Sequence, residues 1–309
     1  AMVKACRLFG ASINIFLNYI EIEGVNGTIS SSFKSIDAGN SGIVLRFCSA
    51  IGALGSAPFT VTGDHSIQTQ RSVMPLLLGL KQLKVKTSCL KNDGYAPIEI
   101  QGPLCGGVAT IEGADSQPVS ALLIAGAFCG APIQLNAQNA GEIPWVALTL
   151  EWFDRLGIPY QNNAYSSYEL TGNAQIEGFT YHVPGDCSSA AFPLAAALIT
   201  GSALTLTNID LNDPQGDKEL FYILQRMGAC IKIDVKEKKI DVKEGSILSG
   251  IRVDLNSCID ALPILTVVAC FAKGETHIYN AAVARGKESD RLSCMTKELK
   301  KMGADIVET

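Results

Sequence analysis

The chain has 309 residues, 47% apolar, 18% charged and 7% aromatic, with 25 Lys and Arg against 30 Asp and Glu. That balance excludes a disordered chain, a collagen-like repeat and a basic arm for nucleic-acid backbones, whose affinity rests on clustered cations. At this length one hydrophobic core is near its practical limit, so two lobes are expected, each with its own interior.

In chain order, the first expected element is the end of an amphipathic helix at Leu8-Phe9, then a turn at Gly10 and a strand start at Ala11. The same sequence of helix end, turn and strand returns near Leu83, Leu156, Met227 and Met302. Its turn position falls at Gly10, Lys84, Gly157, Gly228 and Gly303, in steps of 71 to 75 residues. A residue just past a helix end adopts a left-handed conformation, which glycine does at least cost. A second marker runs in phase: small-residue helices end at Gly55, Gly130, Gly201 and Gly274. The runs after them, Phe59 to Val61, Ile133 to Leu135, Leu204 to Leu206 and His277 to Tyr279, alternate as half-buried strands do. Two markers with one period indicate internal repetition, each unit reading as apolar helix, strand, second helix and further short strands.

The first helix of each unit opens on short polar residues: Gly39 to Gly42, Asp115 to Gln117, Asp186 to Ser189 and Ser257 to Asp260. These are N-cap chemistries, and several stacked copies would gather helix N-termini where phosphate or carboxylate is favoured. The runs Ala190 to Ala197 and Leu262 to Ala269 are apolar nearly all round, so both helices are expected inside the lobes. The uncharged stretch Ser188 to Leu206 contains Pro193 and several Gly, Ser and Thr, and reads as a buried helix followed by a strand rather than a membrane span.

The densest polar cluster, Arg285 to Arg291, precedes the last amphipathic helix. It is either a solvated helix start or three cations able to clamp a phosphate beside carboxylates available for proton transfer. Arg71 is a phosphate ligand or a surface residue, and Asp260 an acid/base or a cap. Trp145, at helical spacing with Leu148 and Trp152, reads as core. The segment Gly102 to Gly107 lacks the Gly-Lys-Ser/Thr of a nucleotide phosphate loop. The ten cysteines, without a C-x-x-C pair and in apolar stretches such as those of Cys129 and Cys270, read as buried thiols in a reducing compartment. His65, His182 and His277 are too dispersed in sequence to suggest a metal site, and no leader-like segment opens the chain, so a cytoplasmic protein without metal is expected.

Five blocks carry a resemblance that spans the chain in order: Asp37 to Arg46, Asp115 to Leu123, Gly185 to Ala190, Gln215 to Asp217 and Arg285 to Arg291. On them the sequence resembles the 5-enolpyruvylshikimate-3-phosphate synthases, or 3-phosphoshikimate 1-carboxyvinyltransferases. The resemblance implies an α/β, two-lobed fold of βαβαββ units, with helix N-termini facing a cleft. It implies transfer of the enolpyruvyl group of phosphoenolpyruvate to the 5-hydroxyl of shikimate 3-phosphate by addition and elimination, with release of phosphate and no metal or organic cofactor. By resemblance Asp260 is the acid/base near the 5-hydroxyl and Glu288 a second proton-transfer group. Lys287, Ser116 and Gln117 would hold shikimate 3-phosphate, and Asn40, Gly42, Arg71 and Arg291 would line the phosphoenolpyruvate side.

The chain departs from the family pattern at Ile43 (Thr in the family), Asp115 and Glu142 (each Ser), Trp145 (Tyr) and in the spacing before Arg71. The loss of a hydroxyl at Ile43 leaves the glyphosate response open. Two acids beside an expected phosphate are unfavourable unless paired or turned away. The lobes are expected as residues 1–184 and 185–309. The repeat phase places both termini inside a unit, so terminal segments are expected to be missing, with full activity in a longer parent and little or none in this chain. A monomer acting on small molecules, without nucleic acid or membrane, completes the expectation. The rivals are UDP-N-acetylglucosamine enolpyruvyl transferase, a non-catalytic repeat scaffold and an RNA-processing enzyme on a related fold.

Overall fold

The computed structural model describes residues 1–30 and 32–309. Helix α1 (Met2–Leu8) and strands β1 (Ser12–Ile15) and β2 (Ile20–Glu23) come first. Next come β3 (Ser35–Asp37), α2 (Gly42–Gly52), β4 (Phe59–Thr62), α3 (His65–Thr69), α4 (Met74–Gln82), β5 (Lys86–Cys89) and β6 (Ile98–Gln101). The following repeat holds β7 (Gly107–Glu112), α5 (Ser116–Phe128), β8 (Ile133–Gln138), α6 (Ile143–Leu156), β9 (Tyr160–Asn163) and β10 (Ser167–Leu170). Then come α7 (Cys187–Thr200), β11 (Leu204–Leu206), α8 (Glu219–Arg226), β12 (Ile231–Asp234) and β13 (Lys239–Val242). The last stretch is β14 (Arg252–Asp254), α9 (Leu262–Ala269), β15 (His277–Tyr279) and α10 (Arg291–Lys301).

The repetition expected from the spacing is present in the sheets. Strand order is β3-β4-β6-β5 in one repeat and β7-β8-β10-β9 in the next, the first pair parallel and the rest antiparallel. The third repeat keeps the last part of this order as β11-β13-β12, and β14 pairs in parallel with β15. A helical crossover is what a parallel neighbour requires, and α2, α5 and α9 supply it. All five expected turn positions have positive φ: Gly10, Gly157, Gly228, Gly303 and also Lys84, at 69°. An acidic side chain ends the first strand and accepts from the N–H two residues on in three repeats: Asp37 from Gly39 (2.8 Å), Glu112 from Ala114 (3.2 Å) and Asp254 from Asn256 (2.9 Å). This small turn hands each strand over to its helix start.

The caps hold in three copies of four. Ser41 accepts from Val44 N–H, Asp115 from Gln117 N–H, and Asp186 from Ser188 and Ser189 N–H. The fourth is a correction: α9 begins after Ala261 without a side-chain cap, because residues 256–261 wind into a 3-10 turn with a break at Cys258 (φ −137°, ψ 51°). Asp260 is thereby left exposed, free of capping duty.

The chain divides into two compact units, residues 1–141 with 149–178, and residues 142–148 with 179–309. In the first, α5 is buried almost all round; Gly79 of α4 lets Leu122 and Ile111 approach where a Cβ would clash. Each such leucine contributes roughly 1.5–3 kcal/mol by leaving water. The second unit packs α7, α8 and α9 about Leu194, Phe221, Leu224 and Leu265. Helix α7 followed by β11 is the expected buried helix and strand, although α7 keeps Phe192, Pro193 and Ala196 on an exposed face. Helix α6 corrects the reading of Trp145: its buried side is Val146, Thr149, Leu150 and Phe153, leaving Trp145, Leu148 and Trp152 half-buried. All ten cysteines are free, but the expected burial holds only for Cys48, Cys129, Cys187 and Cys258; Cys105, Cys230, Cys270 and Cys294 are exposed. Among the described residues no helix is long and apolar enough to cross a membrane.

Candidate functional site

In the first unit the polar cluster forms where α2 and α5 begin. Gly42 opens α2, and a Cβ there would run into Arg71 Nη1 and come within 2.9 Å of Arg46 Nη1 and 3.1 Å of Gln117 Oε1. Only a residue without a side chain lets two guanidinium groups and an amide gather over this helix start. Arg46 is 4% exposed and holds its place through its two terminal nitrogens: it donates to Gln117 Oε1 at 2.9 Å and Ser72 O at 3.0 Å, and pairs with Asp115 Oδ2 at 3.1 Å, while among the described residues its buried Nε has no acceptor. Asp115 therefore does not confront a ligand unneutralised. Arg71 follows α3, whose cap Asp64 is held below the ordinary carboxylate range by the Ser66 hydroxyl, the Ile67 N–H and the Arg71 charge. Ser116 is buried in the first turn of α5, and Asn40 is exposed beside the Ser41 cap.

In the second unit the cluster gathers around α10. Arg291 donates to Asp260 Oδ1 at 2.6 Å and to both Glu288 oxygens at 2.8 and 3.0 Å. Burial alone would lower its proton affinity, but the bonds and charges of Glu288 and Asp260 outweigh this and hold the guanidinium well above its ordinary value. Lys287 pairs with Glu142 at 2.6 Å. Arg285 turns to Asp290 and Glu308 instead, which locks the start of α10, capped by Asp290. The three cations of the sequence cluster are thus all held by carboxylates.

Two carboxyl groups near α7 diverge for a physical reason. Burial would raise Asp186, yet the hydroxyls and N–H groups of Ser189 and Ser188 keep it below its ordinary value. Asp217 is 1% exposed, and among the described residues neither of its oxygens has a hydrogen-bond partner. Burial first, then the charges of Asp260 and Asp186, push it up to about 7, with Arg291 opposing. The neighbouring Gln215 ties the start of α7 down, accepting from Cys187 N–H at 2.8 Å and donating to Gly185 O at 3.2 Å.

Sequence reasoning missed Arg46, Asp217 and the pairing of Glu142. The signal for Arg46 was a lone cation inside the apolar helix Gly42–Gly52. Among the described residues no three His, Cys, Asp or Glu side chains gather as a metal site.

The model of the EPSP synthase (3-phosphoshikimate 1-carboxyvinyltransferase) family matches residues 1–309. The chain belongs to this family. It is 42% identical to the 3-phosphoshikimate 1-carboxyvinyltransferase of Chlamydia pneumoniae, covering all of this chain and 69% of that protein. It is 39% identical to the enzyme of the same name from Acetivibrio thermocellus, over 99% of this chain and 71% of that one. A solved structure of EPSP synthase from Acinetobacter baumannii superposes with a TM-score of 0.77 at 27% identity, covering 99% of this chain and 71% of that chain. The 3-phosphoshikimate 1-carboxyvinyltransferase assignment makes the chain a transferase of the shikimate pathway, with the enolpyruvyl transferase fold, and the rival readings are not favoured.

Proposed function

We propose that the residues of these polar clusters divide the work of enolpyruvyl transfer. Asn40, Gly42, Arg71 and Arg291 line the phosphoenolpyruvate side. Ser116, Gln117 and Lys287 hold shikimate 3-phosphate, while Asp260 and Glu288 move protons. The acceptor 5-hydroxyl gives its proton to one of these carboxylates and its oxygen bonds to C2 of phosphoenolpyruvate as a proton adds to the methylene carbon. A proton then leaves the new methyl group, the C2–O bond to phosphate breaks and phosphate departs.

The observation that carries this reading is Arg291 bridging Asp260 and Glu288. Their carboxylates are 40% and 41% exposed, so one cation holds two reachable acid/base groups side by side. Dianionic substrates also need fixed cations and helix starts to offset their charge, which Arg71 and the α2 and α5 termini provide. The same reading takes the lobes as residues 1–184 and 185–309, and the protein as a cytoplasmic monomer that binds no nucleic acid.

The test is deuterium incorporation. In D2O with both substrates, an active protein that carries these residues is expected to label the methylene of phosphoenolpyruvate and of the product, seen by NMR. Asp260→Asn or Glu288→Gln is expected to slow labelling about 10²–10⁴-fold. Labelling at an unchanged rate in both variants would refute the assignment.

A further inference from the structure

Glu142 occupies an unusual place for an acid. Its backbone is left-handed (φ 47°), which disfavours any residue bearing a Cβ, and its side chain is almost wholly withdrawn from water. The bonds that hold it there include its N–H donating to Asn256 Oδ1 at 3.3 Å, its carbonyl accepting from Trp145 N–H at 3.0 Å, and its Oε1 accepting from Lys287 Nζ at 2.6 Å. The Lys287 side chain is itself only 14% exposed. A carboxylate and an ammonium this far from water persist because each neutralises the other; removing one leaves a buried charge uncompensated. Glu142, Asp260 and Arg291 all act on the charge of Asp217, so the Glu142–Lys287 pair lies in the same group of charges.

We propose that Glu142 is an internal counter-anion and positioning residue. It holds Lys287 in place when no acceptor is bound, and competes with the acceptor's phosphate for the ammonium, thereby setting acceptor affinity. The inference rests on the reading of Lys287 as an acceptor contact. An incoming phosphate must share Lys287 with a carboxylate 2.6 Å away, and the two anions repel. With the carboxylate replaced by an amide of the same shape, the ammonium stands uncompensated until the phosphate arrives. Binding then supplies what the substitution removed, and ligand stabilises the variant more than the parent.

The experiment is calorimetric titration with shikimate 3-phosphate, and melting with and without it, for the parent chain, Glu142→Gln, Glu142→Asp and Lys287→Gln. Glu142→Gln is expected to melt lower when free, to bind roughly tenfold tighter and to gain more Tm on saturation than the parent. Glu142→Asp keeps the charge and is expected to stay near the parent, and Lys287→Gln to bind at least about tenfold more weakly. If Lys287→Gln weakens binding while Glu142→Gln binds no tighter than the parent, the counter-anion proposal is overturned and the Lys287 reading survives. If Lys287→Gln binds like the parent, the Lys287 reading falls and takes the proposal with it. Should Glu142→Gln fail to fold, carboxyl 13C NMR of the parent decides, with the Glu142 signal assigned by its loss in Glu142→Asp. A signal that moves on saturation supports the proposal, and one that stays fixed overturns it.

Discussion

The polar clusters of the two units use the same residue types to opposite ends. At the start of α2 in the first unit, Arg46 is spent on neutral acceptors and one carboxylate, and the absent side chain of Gly42 lets Arg71 and Gln117 close in beside it. Around α10 in the second unit, Lys287 and Arg291 are held by Glu142, Asp260 and Glu288, and Asp217 lies buried beneath without a donor. Neutral acceptors share the buried cation of the first cluster with a single carboxylate, whereas the cations of the second are held by carboxylates throughout.

The comparison can be broken most forcefully at Arg46. Arg46→Met removes a buried cation and leaves Asp115 and Gln117 without it, and is expected to cost roughly 3 kcal/mol in urea denaturation. A loss under about 1 kcal/mol would show that the cluster does not depend on it. Asp217 tests the other unit. Its folded proton affinity, about 7, stands above the ordinary 3.8, so between those values the folded chain keeps a proton that the unfolded chain has released. Its contribution to stability is therefore full below pH ~4 and is lost as pH rises to about 7, an expected decline of ~1.4 kcal/mol per pH unit across that window. Asp217→Asn is expected to flatten that slope in thermal melts taken across the window; an unchanged slope would place the titrating group elsewhere.

Smaller effects sharpen the first unit. Gly42→Ala pushes Arg71 and Arg46 aside and is expected to raise KM for phosphoenolpyruvate about tenfold with kcat nearly kept, as lost uniform binding does. Ser41→Ala removes only the cap bond to Val44 N–H and is expected to cost about 1 kcal/mol of stability, with little change in KM.

The fold was legible in the sequence where conformation demands a residue type. The left-handed turns after α1, α6, α8 and α10 require glycine or its equivalent, and Lys84 shows that the plan tolerates one exception because the position is set by the repeat, not by glycine itself. The caps at Ser41, Asp115 and Asp186 were equally legible, since a short polar side chain before an apolar helix has few other uses. The cap at Ser257 to Asp260 failed because short polar residues suit a 3-10 turn as well as a helix cap, and the break at Cys258 leaves Asp260 exposed. Of the site, Asp260, Glu288 and Arg291 were drawn together by resemblance, but their mutual bonding was not readable. Arg46 and Asp217 were missed because a buried charge betrays itself by its partners, or by lacking them, and partners distant in sequence leave no periodic trace.

The most direct measurement of the division of labour is steady-state kinetics of Asp260→Asn and Arg71→Met in one phosphate-release assay. The expected result is a split: Asp260→Asn lowers kcat about 10²–10⁴-fold with KM for phosphoenolpyruvate within a few-fold, while Arg71→Met raises that KM at least about tenfold with a smaller change in kcat. Both substitutions moving the same constant by similar factors would contradict it.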